Sequence, residues 1–146
     1  MAQSACIVLV EDNPGDAYLL QRALRERGID YELLHFEDGD AALRAISGEG
    51  ELKPDVILVD LNLPGREGFD VLLRLRQIPR LVGIPVGVFT SSDAPKDKHR
   101  IALLGVERYI HKPPTLDGFL TEVATAVAEL LALRRGGSPE AGSVPA

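Results

Sequence analysis

Five short runs of the chain are dense in Val, Ile and Leu: CIVLV (6–10), YELLHF (31–36), DVILV (55–59), IPVGVF (84–89) and RYI (108–110). Short apolar runs of this length, bounded by polar or turn residues, predict strands. Between them the apolar positions change to helical spacing. AYLLQRALRERG places Leu19, Leu20, Ala23 and Leu24 on one face and stops at Gly28, with Asn13 as N-cap and Pro14 at the first helical position. GDAALRAISGEG predicts a short second helix ending among glycines. REGFDVLLRLRQIP predicts a third, which carries Phe69, Leu72, Leu73 and Leu75 and stops before Pro79. A fourth starts near Pro95 and ends at Gly105, and a fifth follows Pro113-Pro114, from about Leu116 to Arg135.

Strands that alternate with helices predict an α/β fold whose parallel sheet is covered on both faces, because parallel neighbours need helical crossovers. The chain has 146 residues, enough for one domain, expected over 1–135, that buries its core without disulfides or a structural metal. The last stretch, GGSPEAGSVPA (136–146), predicts a flexible tail.

Composition narrows the classes of function. Hydrophobic residues at 45% and charged residues at 26% are the balance of a folded soluble protein. A net charge of −6 argues against general nucleic-acid binding, which needs a basic surface. Lys96, Lys98, His99 and Arg100 are expected on a solvated helix face. The single cysteine, Cys6, excludes an internal disulfide and is expected as a small core residue. No run is long enough to span a membrane, and MAQSACIVLVED lacks the pattern of a signal peptide, so the expected location is the cytoplasm.

In an open parallel sheet, functional groups collect where the strands end at their carboxyl side. Strand one is followed by Glu11-Asp12, strand three by Asp60, strand four by Thr90-Ser91-Ser92, and strand five by His111-Lys112 before Pro113. Each alone has an ordinary explanation as a cap, a loop residue or an exposed charge. Together, three carboxylates at one edge repel one another unless a cation sits among them. A hard, oxygen-binding ion fits best: Mg²⁺ takes one or two carboxylates, keeps waters, and leaves room for a phosphoryl oxygen.

With these residues in this order, the chain resembles the receiver domains of bacterial two-component response regulators. The resemblance rests on Glu11-Asp12, Asp60, Thr90 and Lys112-Pro113, with 30 residues from Asp60 to Thr90 and 22 more to Lys112. In EDNPGDAYLLQRAL (11–24), DLNLPG and GFDVL it is similar to small single-domain receivers that serve bacterial phytochromes. The family implies a flavodoxin-like, doubly wound five-stranded parallel sheet of order 2-1-3-4-5 with five helices.

The resemblance also implies roles. Asp60 is the phosphoacceptor, taking a phosphoryl group from the phosphohistidine of a sensor histidine kinase. Asp12, Asp60 and the main-chain carbonyl of Asn62 hold Mg²⁺, with Mn²⁺ or Ca²⁺ able to substitute, and Glu11 acts through a coordinated water. Lys112 pairs with Asp60 and then with the phosphoryl group, and the Lys112-Pro113 bond is expected to be cis. Thr90 and Tyr109 form the switch, while Asn62 and Ser92 flank the path of the water that hydrolyses the phosphoryl group. The Pro64-Gly65 turn starts helix three and leaves Asp60 open.

About eleven residues beyond helix five are too few for an output module, so the expected output is a surface. Phe119, Val123, Ala126, Leu130 and Leu133 belong to an apolar arc on helix five wider than the roughly 100° needed to pack on a sheet. The excess predicts a homodimer through strand five and helix five. A helix buried more deeply is the alternative. Three rival classes are considered: a pseudo-receiver adaptor, an aspartyl-phosphate phosphatase and a flavin carrier. The first is disfavoured because no site residue is missing, the second because Asn62 stands where the second acid would be, and the third because EDNPGD would repel a flavin phosphate.

Overall fold

The computed structural model describes residues 4–48, 52–63 and 67–134. Five parallel strands, β1 (Ala5–Val10), β2 (Tyr31–Phe36), β3 (Val56–Val59), β4 (Val86–Thr90) and β5 (Arg108–His111), form one sheet in the order β2-β1-β3-β4-β5. Among the described residues four α-helices lie between them, α1 (Pro14–Arg27), α2 (Gly39–Ser47), α3 (Gly68–Leu75) and α4 (Pro95–Leu103), with a short 3-10 turn at Pro79–Leu81 before β4. A last helix follows β5 in three consecutive stretches, Leu116–Gly118, Phe119–Val123 and Ala124–Arg134, the middle one wound as a π-helix. The expected Pro64-Gly65 turn, Arg135 and the tail 136–146 lie outside the described residues.

The period-two alternation of the strands divides the core in two. Ile7, Leu9, Leu58, Phe89 and Ile110 face α1 and the last helix. Val8, Val10, Ile57, Val59 and Val88 face α2, α3 and α4. Both faces are apolar because both are covered.

The helix ends follow local chemistry. Asn13 accepts from the Gly15 and Asp16 amides at 2.8 and 3.2 Å, and Pro14 occupies the first turn, where its missing N–H costs nothing. Gly28 ends α1 in the left-handed region at φ 80°, a conformation that suits glycine. Asp38 caps α2 by accepting from the Ala41 amide at 2.7 Å.

Three expectations are corrected. Phe119, Val123, Ala126 and Leu130 are all buried within the protomer, and Leu133 packs partly against the same core. The wide apolar arc is used because the last helix packs against both the sheet and α1, so it is no free dimer face. Cys6 is only partly buried, because β2, on which it pairs, is an incompletely covered edge strand. No cis peptide occurs among the described residues, Lys112-Pro113 included. The lysine already reaches the carboxylates with the intrinsically favoured trans bond.

Candidate functional site

The strand register brings the site together. Val10 of β1 pairs with Val59 of β3, so the next residues, Glu11 and Asp60, stand side by side where the sheet ends. Their backbones extend the ladder: the Glu11 amide donates to Phe36 O and the Asp60 amide to Val10 O, each at 2.9 Å. On the other side Thr90 pairs with His111, and the Lys112 amide donates to Thr90 O at 2.8 Å. This edge lies at the switch point where connections from β1 and β3 leave in opposite directions, the usual place for a ligand in such a sheet.

Glu11 and Thr90 are fully buried and Asp60 is 4% exposed. Ligand oxygens of Glu11, Asp12 and Asp60 lie within 4.8 Å of one another. The Lys112 ammonium enters this group and donates to Glu11 Oε1 at 2.7 Å, Asp16 Oδ2 at 2.8 Å and Asp60 Oδ2 at 3.2 Å. Beneath it lies the ring of Phe89, whose centroid is 4.8 Å from Nζ. The second oxygens are also engaged: Glu11 Oε2 accepts from the Asn13 amide at 3.1 Å and Asp60 Oδ1 from the Asn62 amide at 3.2 Å.

Burial and pairing shift two groups of this cluster, Glu11 and Lys112. The Glu11 carboxyl is raised from 4.5 to about 7, first by loss of solvent, with Lys112 opposing and Asp60 reinforcing the rise. For Lys112, burial alone would lower the ammonium's pKa. The hydrogen bonds to Asp16 and Glu11 and the charge of Asp60 outweigh it, so the group is held above its ordinary value.

The donor set fits a hard divalent cation. Three carboxylates, those of Glu11, Asp12 and Asp60, converge on a site that one ammonium enters. The excess negative charge at an oxygen-only cluster matches Mg²⁺ chemistry rather than that of a softer metal.

Thr90 and Tyr109 meet at one residue. Thr90 Oγ1 accepts from the Ser92 amide at 3.2 Å, and the Tyr109 hydroxyl donates to the Ser92 carbonyl at 2.9 Å. The Ser92 hydroxyl is itself engaged at the start of α4, donating to Asp97 at 2.6 Å and accepting from the Ala94 amide at 3.3 Å. The Asn62 side chain is exposed. Of the histidines, His35 Nε2 donates to the Glu11 carbonyl at 2.7 Å and His111 Nε2 to Ser91 O at 3.2 Å. Lys96, Lys98, His99 and Arg100 are all exposed on α4, as expected.

Two residues escaped sequence reasoning. Asp16 lies four positions past Asp12, and its only local signal was an acidic residue in the first turn of α1. Gly68 shows itself only in three dimensions: a Cβ there would stand 2.0 Å from the Asp60 carbonyl oxygen and 2.7 Å from Leu61 Cα. Glycine lets α3 start against the backbone that carries Asp60, and the Gly68 amide donates to Leu61 O at 3.1 Å.

Comparison with known proteins agrees with this geometry. Residues 7–124 match the family model described as the response regulator receiver domain. Response regulator Rcp1 of Synechocystis sp. is 40% identical over 114 residues, covering 75% of this chain and 78% of Rcp1. The solved Mn²⁺-bound form of Rcp1 superposes with a TM-score of 0.79 at 35% identity, covering 87% of this chain and 94% of that one. The phosphorylated cyanobacterial phytochrome response regulator RcpA superposes with a TM-score of 0.81 at 34% identity, over 89% and 96% of the two chains.

Proposed function

Because the chain belongs to the response regulator receiver family, we propose that Asp60 is its phosphoacceptor and that the chain relays a phosphoryl group from a sensor histidine kinase. The observation that carries this reading is the Lys112 ammonium, which spans Asp60 and the buried Glu11 beside Asp12.

In the forward step an Asp60 oxygen attacks phosphorus in line. The P–O bond to Asp60 forms as the P–N bond to the donor imidazole breaks, and the bonding electron pair stays on that nitrogen. Such a transfer needs positioning and charge neutralisation more than covalent help. Lys112 lies 3.2 Å from Asp60 Oδ2 and is placed to follow the incoming phosphoryl oxygens. Asp12, Asp60 and the Asn62 carbonyl would hold Mg²⁺, with Glu11 acting through a water. When bound, the ion supplies further neutralisation of phosphoryl charge. In the return step a water oxygen attacks phosphorus, the bond to Asp60 breaks, and inorganic phosphate leaves. Asn62 and Ser92 flank that path. With its hydroxyl tied to Asp97, Ser92 contributes its backbone rather than its side chain.

Thr90 and Tyr109 hold opposite ends of Ser92, the amide and the carbonyl. A Thr90 hydroxyl drawn to a phosphoryl oxygen would pull the loop that Tyr109 grips. A two-state element of this kind converts a local charge change into a change of surface around α4 and β5.

The likeness to the phytochrome response regulator RcpA supports a phytochrome-type kinase as donor. A homodimer through β5 and the last helix would use their outer, polar edge, such as Arg108, Glu122 and Glu129, because the apolar arc is buried. One monomer mass across a dilution series, with and without phosphorylation, would remove the dimer.

Incubation with acetyl phosphate and Mg²⁺, followed by intact mass measurement, tests the central assignment. One phosphoryl group is expected on the wild type and none on Asp60→Asn; equal labelling of both overturns it.

A further inference from the structure

We infer that Asp16 is a positioning residue that holds the Lys112 ammonium in the resting state and must release it when a phosphoryl group arrives. The inference rests on the reading of Lys112 as the group that meets the phosphoryl oxygens.

Three observations carry it. The first is a ranking of contacts: Nζ is 2.7 Å from Glu11 and 2.8 Å from Asp16, but 3.2 Å from Asp60. The lysine is bound more closely by its two neighbours than by the acceptor it serves. The second is a difference in burial. The Glu11 side chain is fully buried, whereas that of Asp16 is 23% exposed at the rim of a cleft shared with Lys112, Pro113 and Thr115. Stripping a buried carboxylate of its partner is costly, while a carboxylate at the rim exchanges its ammonium for water at small cost. Asp16 is therefore the partner that can let go.

The third observation is how Asp16 is held. Its amide donates to the Asn13 side chain at 3.2 Å, which sets the first turn of α1. Ile110 of β5 faces the core under α1, and Lys112, two residues on, extends toward the same side. Helix cap and strand alternation thus bring together residues 96 positions apart in the chain.

In the resting protein the ammonium is divided among three carboxylates. Asp16 competes with the incoming phosphoryl oxygens for it. In the phosphorylated protein the lysine has already left Asp16, so later loss of the phosphoryl group no longer involves that competition. Removing the Asp16 charge therefore speeds phosphorylation and leaves hydrolysis alone. A partly exposed pair of this kind corresponds to roughly a two- to fivefold effect.

The test compares wild type, Asp16→Asn and Asp16→Glu by intact mass over time. Acetyl phosphate and phosphoramidate serve in turn as donors, with Mg²⁺, and decay is followed after donor removal. The expected result is a roughly two- to fivefold faster labelling of Asp16→Asn with both donors, an unchanged decay rate, and return toward the wild-type labelling rate in Asp16→Glu. The acceleration persists at about 0.5 M KCl, where a diffuse field effect on anionic donors is screened. Labelling of Asp16→Asn that is unchanged or slower overturns the inference, as does a parallel change in decay or an acceleration that salt abolishes. Absence of label on the wild type removes the phosphoacceptor reading itself, and this inference with it.

Discussion

The carboxyl of Glu11 is fully buried. Raised from 4.5 to about 7 mainly by burial, it binds its proton more tightly in the folded chain than in the unfolded one. A group of this kind adds stability that is fully present below the unfolded pKa and is lost as pH rises through the folded value. The metal-free protein is accordingly expected to lose stability between about pH 4.5 and 7 through this group, and Glu11→Gln to lose that pH dependence. Urea unfolding at several pH values with a chelator present checks it; a Glu11→Gln curve parallel to the wild type would refute it. Gly68 gives a second prediction at this scale. An added Cβ would overlap the Asp60 carbonyl oxygen at 2.0 Å, and that neighbour is backbone. Gly68→Ala should cost about 1–3 kcal/mol or more by denaturant unfolding, because α3 must back away from β3.

Among the elements, the last helix departs most from what its pattern implied. Its apolar arc is wide because it serves two neighbours, the sheet and α1, and the π-wound stretch at Phe119–Val123 carries Phe119 edge-on against Phe89, with ring centroids 5.7 Å apart. A side chain in that arc acts on the fold of one protomer. Leu130 is 1% exposed, so Leu130→Ala is expected to destabilise the chain by about 2–5 kcal/mol, the cost of a buried cavity. The difference in unfolding midpoint between wild type and variant should not depend on protein concentration. A difference that depends on concentration, with small loss of stability, would place Leu130 at a subunit contact instead.

For the whole molecule, the concentration of negative charge at one end of the sheet predicts a strong link between metal and stability. Glu11, Asp12 and Asp60 crowd within 4.8 Å in the folded chain and separate on unfolding, so a divalent cation binds the folded state preferentially. Mg²⁺ at 100 times its dissociation constant should stabilise the wild type by about 2.7 kcal/mol, read as a rise in the thermal midpoint. Asp12→Asn should lose most of that rise. An equal rise in the variant would mean that the ion binds elsewhere.

Much of this molecule is legible along the chain. An alternation of period two or 3.6 is a local property, so the five strands, the Asn13 cap and the stop at Gly28 follow from neighbours a few residues apart. Glu11, Asp60, Thr90 and Lys112 could be found for the same reason: each sits where an apolar run gives way to a polar residue. What no local pattern contains is which helix crosses which face of the sheet. That choice belongs to the packed fold, and it decided three things. It set Asp16 beside a lysine 96 residues away, brought Gly68 against the backbone of Asp60, and buried under α1 the helical face that looked free. Each depends on a distance between elements that only burial of both sheet faces determines.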